Sequence, residues 1–339
     1  MNLKVARFVL FGAVLGALAG AVRAEGLDTK DSEERECANN SRPRISFIDY
    51  TSPNIGVRPV SQLKIKGKLS IPASRNARSN CREDEGGGMG GGREKLPAVL
   101  ILHGSAGVDS RGDFYEKALN AAGIATLQID MWEARNVSGL SNRPQLPLFT
   151  YPDAFGALAF LSKHRDIDPN RIGVLGFSWG GVVSLAASEQ LYVAMFGDGH
   201  KFKAHVANYP ICYGANNAAL TAAFGLSPAQ AGAQYINLTG APVLIQIGSK
   251  DGYDNGTAHC VRLAESVNPS NNNVVSVNQY EGDSHAWDRL MVPTAVQDKF
   301  GNEGSAFTTH VIPSVQHEPD VANAYLSRSR VVTFFRKQL

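Results

Sequence analysis

Three residues able to act as nucleophile, base and orienting acid stand far apart in this chain. They are Ser178 in Gly176-Phe177-Ser178-Trp179-Gly180, Asp251 in Gly248-Ser249-Lys250-Asp251, and His285 in Ser284-His285-Ala286-Trp287. A serine hydroxyl is a poor nucleophile at neutral pH. It attacks carbonyl carbon once an imidazole takes its proton and a carboxylate orients that imidazole. The glycines beside Ser178 permit a sharp turn, which would lift the hydroxyl clear of its surroundings above the next backbone N–H. Gly-x-Ser-x-Gly also arises as a plain packing turn in a chain with 34 glycines, so its weight comes from its partners and its context.

The partners follow in the order serine, acid, histidine. Asp254 competes with Asp251, yet it directly precedes a predicted helix, where an aspartate caps the first turn, so Asp251 is the chosen acid. His285 closes the last predicted strand. His259 lies on a helix, and His310 and His317 lie in a loop with no strand leading into them, so all three read as ordinary surface histidines. The oxyanion of an acyl-transfer intermediate needs two backbone N–H donors. Trp179, directly after the serine, offers one. Ser105 or Ala106 offers the other from His103-Gly104-Ser105-Ala106-Gly107, and His103 reads as a support for that turn. Arg135 and Arg143 have the fork geometry to hold a substrate carboxylate, although solvated surface arginines are the simpler explanation of both.

Such residues converge only if the elements before them carry them to one rim. Arg171–Leu175 is a short apolar, partly β-branched run, and Gly181–Ala187 is small and apolar, so Ser178 sits where a buried strand turns into a packed helix. Further strands are predicted at Ala98–Leu102, Ile124–Ile129, Ala204–Asn208, Val243–Ile247 and Val274–Tyr280. Helices are predicted at Asp113–Ala122, Pro152–His164, Thr257–Val267 and 320–338. Ile45–Ile48 and Leu63–Leu69 alternate apolar and polar residues and read as antiparallel edge strands. This alternation of strand and helix predicts a mainly parallel sheet covered on both faces. With a serine at a strand-to-helix turn, then acid, then histidine, it is the α/β-hydrolase arrangement, expected as one domain over 44–339.

The remainder of the chain bounds the setting. Lys4 and Arg7, the apolar stretch Phe8–Val22 and the small-residue site Val22-Arg23-Ala24 read as a bacterial-type signal peptide over 1–24, implying a periplasmic or secreted product with no membrane association after cleavage. A polar arm follows over 25–43, and residues 74–95 centre on a glycine run that reads as a flexible surface loop. That run lacks the lysine and the helix that a phosphate cradle requires. Four cysteines in an exported chain favour disulfides, Cys37–Cys81 and Cys212–Cys260 by position, although three connectivities are open. Their spacing is poor for a metal, and none is expected. A net charge of +2 without a basic face gives no sign of nucleic-acid binding.

Taken as a set, His103-Gly104-Ser105-Ala106-Gly107-Val108, Gly176-Phe177-Ser178-Trp179-Gly180-Gly181, Gly248-Ser249-Lys250-Asp251 and Ser284-His285-Ala286-Trp287 resemble the dienelactone hydrolase family. The resemblance implies an α/β-hydrolase that acts on esters or lactones through nucleophile, histidine and aspartate, without a cofactor. Its Gly-x-x-Asp spacing also supports Asp251. Founding members carry cysteine where this chain has Ser178, which favours general ester hydrolysis over a dienelactone substrate. Tyr209-Pro210-Ile211-Cys212 and Cys260 are similar to an exported branch, which implies a disulfide there. The expected partner is a small-molecule ester or lactone, with the oligomeric state open. A serine peptidase, an acyltransferase or a catalytically silent binding protein of the same fold are the competing readings.

Overall fold

The computed structural model describes residues 42–73 and 94–339. The expected signal segment, nearly all of the polar arm and of the glycine-rich loop, and with them Cys37 and Cys81, lie outside the described residues.

The central strands are apolar throughout because both of their faces are covered. Along β3 (Leu96–Leu102), Ala98, Leu100 and Leu102 pack to one side while Val99 and Ile101 pack to the other. β5 (Ile167–Phe177) does the same, with Ile172 and Val174 facing one core and Leu175 and Phe177 the opposite one. Three helices fill the first core: α2 (Tyr151–Ser162), α3 (Trp179–Ala186) and α4 (Gln190–Phe196). The second is filled by α1 (Ser110–Ala121), α5 (Ala258–Val267) and α6 (Val321–Gln338).

The remaining strands of the sheet are β1 (Arg44–Asn54), β2 (Ser61–Ile71), β4 (Ala125–Asp130), β6 (Ala204–Asn208), β7 (Val243–Lys250) and β8 (Val275–Ser284). The eight run in the order β1-β2-β4-β3-β5-β6-β7-β8. β1 pairs antiparallel with β2, and β2 antiparallel with β4; every later pairing is parallel. The C-terminal ends of β3, β5, β7 and β8 therefore share one rim, where ligands of open α/β sheets bind. Two features were not anticipated. α4 is short, and β9 (Thr294–Gln297) and β10 (Ser314–His317) form a separate antiparallel hairpin within a stretch read as loop. His317, expected in a loop with no strand before it, ends β10.

Candidate active site

The turn after β5 is fixed by crowding. Ser178 has φ 51° and ψ −110°, a backbone region that side chains rarely adopt. A Cβ on Gly176 would lie 1.9 Å from the carbonyl oxygen of Gly180, and one on Gly180 would lie 2.4 Å from that of Leu102. Strand, turn and helix meet so closely that both positions exclude any side chain. Ser178 N–H donates to the Asn208 carbonyl at 2.9 Å, anchoring the turn to β6.

His285, just beyond β8, and Asp251, at the end of β7, reach this turn. His285 Nε2 lies 2.9 Å from Ser178 Oγ, and His285 Nδ1 lies 2.7 Å from Asp251 Oδ2. The other oxygen of Asp251 accepts from the Tyr253 N–H at 2.9 Å. His285 and Asp251 are buried, which strengthens their interaction by excluding water. The imidazole is held by aromatic rings, Tyr253 at 4.4 Å and Tyr209 at 4.8 Å between centroids, with His317 at 5.3 Å. Burial, aided by the nearby His285 and arginines, pushes His317 down to about 3, so it is a neutral neighbour.

A buried polar network backs these rings. The Tyr209 hydroxyl donates to Asp288 at 2.5 Å and accepts from Arg111 at 3.0 Å, and Arg111 is paired with Asp109. Asp288 also accepts from Tyr115 at 2.7 Å. Burial raises the Asp288 carboxyl above its usual range, with Arg111 and the two tyrosines opposing the rise.

The loop after β3 lies against the serine: a Cβ on Gly104 would come within 3.4 Å of Ser178 Cβ. The loop closes through Gly107 N–H to the Gly104 carbonyl at 3.0 Å, and Trp132 Nε1 donates to the Ser105 carbonyl at 3.0 Å. His103 braces it, with Nδ1 2.8 Å from the Gly104 carbonyl and Nε2 accepting from the Met131 N–H at 2.9 Å. Ser105, Ser178 and Trp179 line one cleft. Trp179 opens α3, so its N–H has no carbonyl earlier in that helix to bind. The cleft walls are mainly apolar, drawn from Leu146, Pro147, Val182, Ile211, Phe224 and neighbouring residues.

Two expectations are corrected. Arg135 is absent from the cleft: its guanidinium binds the buried carboxylate of Asp153 at 2.6 and 3.1 Å and the carbonyls of Met131 and Phe149. It neutralises a charge that would otherwise be costly to bury. Asp254 is no helix cap, since Thr257 occupies the N-cap of α5. Its carboxylate accepts from Cys212 N–H at 2.9 Å and Tyr213 N–H at 2.7 Å, beside the Cys212–Cys260 disulfide. Burial and the nearby Asp251 raise it well above the usual carboxylate range. The disulfide takes up both of those sulfurs, so the grouping of Cys212, Asp254 and Cys260 offers no thiolate to a metal.

Arg143 does line the cleft, bound to Asp298 at 2.6 Å. Asp298 also accepts from the Tyr253 hydroxyl at 3.0 Å. Sequence reasoning passed over Tyr253 and Asp298; only the position of Tyr253, two residues after Asp251, marked either of them.

Fold and site geometry together define an α/β-hydrolase-fold protein. A Rhizomucor miehei esterase superposes with a TM-score of 0.54 at 16% identity, covering 94% of this chain and 93% of its own. A Klebsiella pneumoniae protein described as a candidate dienelactone hydrolase gives 0.53 at 15% identity, covering 86% and 98%. An esterase of the archaeon Pyrobaculum calidifontis gives 0.51 at 17% identity, covering 91% of each chain. By sequence, the chain is 24% identical over 169 residues to a Bradyrhizobium protein described as "Probable 2-oxo-3-(5-oxofuran-2-ylidene)propanoate lactonase". That match takes in 46% of this chain and 60% of the relative's length. No family model matches the chain.

Proposed function

We propose that the protein is a serine hydrolase that cleaves carboxylic esters or lactones through an acyl-enzyme intermediate. The observation that carries this reading is the hydrogen-bonded line Asp251–His285–Ser178, whose serine end lines a mainly apolar cleft. Ser178 Oγ attacks the carbonyl carbon as His285 Nε2 takes its proton, and Asp251 stabilises the imidazolium that forms. The oxyanion is received by the N–H groups of Trp179 and Ser105, each worth roughly 3–4 kcal/mol in sites of this kind. The proton on His285 passes to the leaving alcohol. Water, deprotonated by His285, then attacks the acyl carbon; the bond from that carbon to Ser178 Oγ breaks, His285 returns the proton to Ser178, and the acid is released.

The esterases among the structural neighbours and the lactonase named in the sequence match support this class and place lactones beside linear esters as substrates to try. Export to the periplasm or beyond is part of the same proposal. The Cys212–Cys260 disulfide suits an oxidising compartment, and no helix among the described residues is long and apolar enough to cross a membrane. A fluorophosphonate probe tests the reading. Labelling of the wild type that disappears in Ser178→Ala supports it, and a wild type that neither labels nor hydrolyses aryl esters, lactones or amides defeats it.

A further inference from the structure

The cleft contains one charged pair among its described lining residues, Arg143 and Asp298. Sequence alone suggests that Arg143 greets a substrate carboxylate, but its charge is already matched. Arg143 Nη2 lies 2.6 Å from Asp298 Oδ1, with 5% and 2% of the two side chains exposed. The pair is also held against rearrangement. Asp298 accepts from the Tyr253 hydroxyl at 3.0 Å and from the Phe300 N–H at 3.1 Å, so turning away would strand two further donors. The guanidinium lies over the Trp179 ring at 5.4 Å and the Phe300 ring at 5.6 Å, which fixes its plane. Burial pushes the Asp298 carboxyl up, but the hydrogen bond and charge of Arg143 more than offset this, so it stays ionised through the neutral range. Another cation, Lys299, sits on the Phe224, Phe300 and Phe307 rings and is not among the lining residues.

We propose that the Arg143–Asp298 pair makes this cleft selective for neutral, apolar acyl groups and closes it to acyl groups that end in a carboxylate. The inference rests on the hydrolase reading for what enters the cleft, and it narrows that reading to a substrate class. An anionic acyl end would shed its water among apolar walls, would find the local cation engaged, and would meet the Asp298 carboxylate beside it. A neutral chain meets none of these costs.

Two aryl esters of similar size decide the matter: 4-nitrophenyl valerate, and 4-nitrophenyl hemisuccinate with its free carboxylate. The wild type is expected to favour the valerate by about 100-fold in kcat/KM. Asp298→Asn releases the charge of Arg143 and is expected to cut that ratio about tenfold, chiefly through a lower KM for the hemisuccinate. A wild-type ratio below about threefold, or an unchanged ratio in Asp298→Asn that retains the wild-type circular dichroism, overturns the inference. Should Asp298→Asn fail to fold, Ser178→Ala with the pair intact provides the second measurement by calorimetry. It is expected to bind the valerate ester about 100-fold more tightly, and equal binding overturns the inference. That binding ratio needs no turnover, so it stands or falls separately from the hydrolase reading.

Discussion

The serine turn and the 233–235 side of the cleft are held by different physics. At the turn, backbone meets backbone, and Gly176 and Gly180 have no room for even a methyl group. The 233–235 part of the wall belongs to a segment that polar side chains distant in sequence pin in place. Glu189 accepts from the N–H groups of Ile236 at 2.7 Å and Asn237 at 2.8 Å. Asn216 both donates to and accepts from the Tyr235 backbone. Asn271 holds Leu238 N–H and Ile236 carbonyl. Steric fit fails all at once, whereas polar pinning yields one contact at a time. The serine turn is therefore rigid and intolerant of change, and the cleft wall can be altered piecemeal.

Substitutions can break this contrast or sharpen it. Gly180→Ala should have the largest effect, because the new methyl meets the Leu102 and His103 carbonyls rather than a movable side chain. A loss above about 5 kcal/mol, seen as an absence of soluble folded protein, is expected. Asp251→Asn comes next: ester hydrolysis should fall about 10⁴-fold while thermal unfolding stays close to wild type. A fall of less than tenfold would remove Asp251 from its role.

The backing of the turn has its own pH signature. His205 on β6 is fully buried with Nδ1 3.0 Å from the Ser184 carbonyl of α3, and burial pushes it down to about 4. Its folded value lies below the unfolded one of about 6.5, so its neutral form stabilises the fold above that pH. That stability is lost as pH falls from about 6.5 towards 4, up to roughly 3 kcal/mol. Urea midpoints for His205→Leu should show a correspondingly shallower decline, and parallel curves would exclude His205 as the source. Glu189→Gln should have the smallest effect, costing about 2 kcal/mol, because one amide face now confronts N–H groups. It should raise KM while fluorophosphonate labelling of Ser178 persists; lost labelling would mean that the two regions are not separable.

The same contrast governs what could be read from the sequence. The turn, its flanking strand and helix, and the placing of Asp251 and His285 after strands were legible because each signal is local: a glycine pattern, an apolar run, a residue at a strand end. The wall was not, because its partners are remote. Arg135 looked available for substrate since nothing nearby in sequence announced Asp153, whose position in the first turn of α2 resembles an exposed helix-end acid. Asp254 looked like a cap because the start of α5 is close, yet its oxygens serve a turn some forty residues earlier. The β9–β10 hairpin escaped notice because its strands are only four residues each, with Gly301–Gly304 and Ala306–Thr309 turning between them.

Tyr253 belongs to both regions at once. Its backbone steadies Asp251, its ring lies on His285, and its hydroxyl holds Asp298. Retailoring the cleft at Asp298 thus tugs, through a single phenol, on the imidazole proposed to move protons. Under the proposed function, a lineage that drifts toward new acyl groups by way of that contact inherits a compromise between breadth of diet and speed of turnover, whereas drift through the apolar walls is free of it.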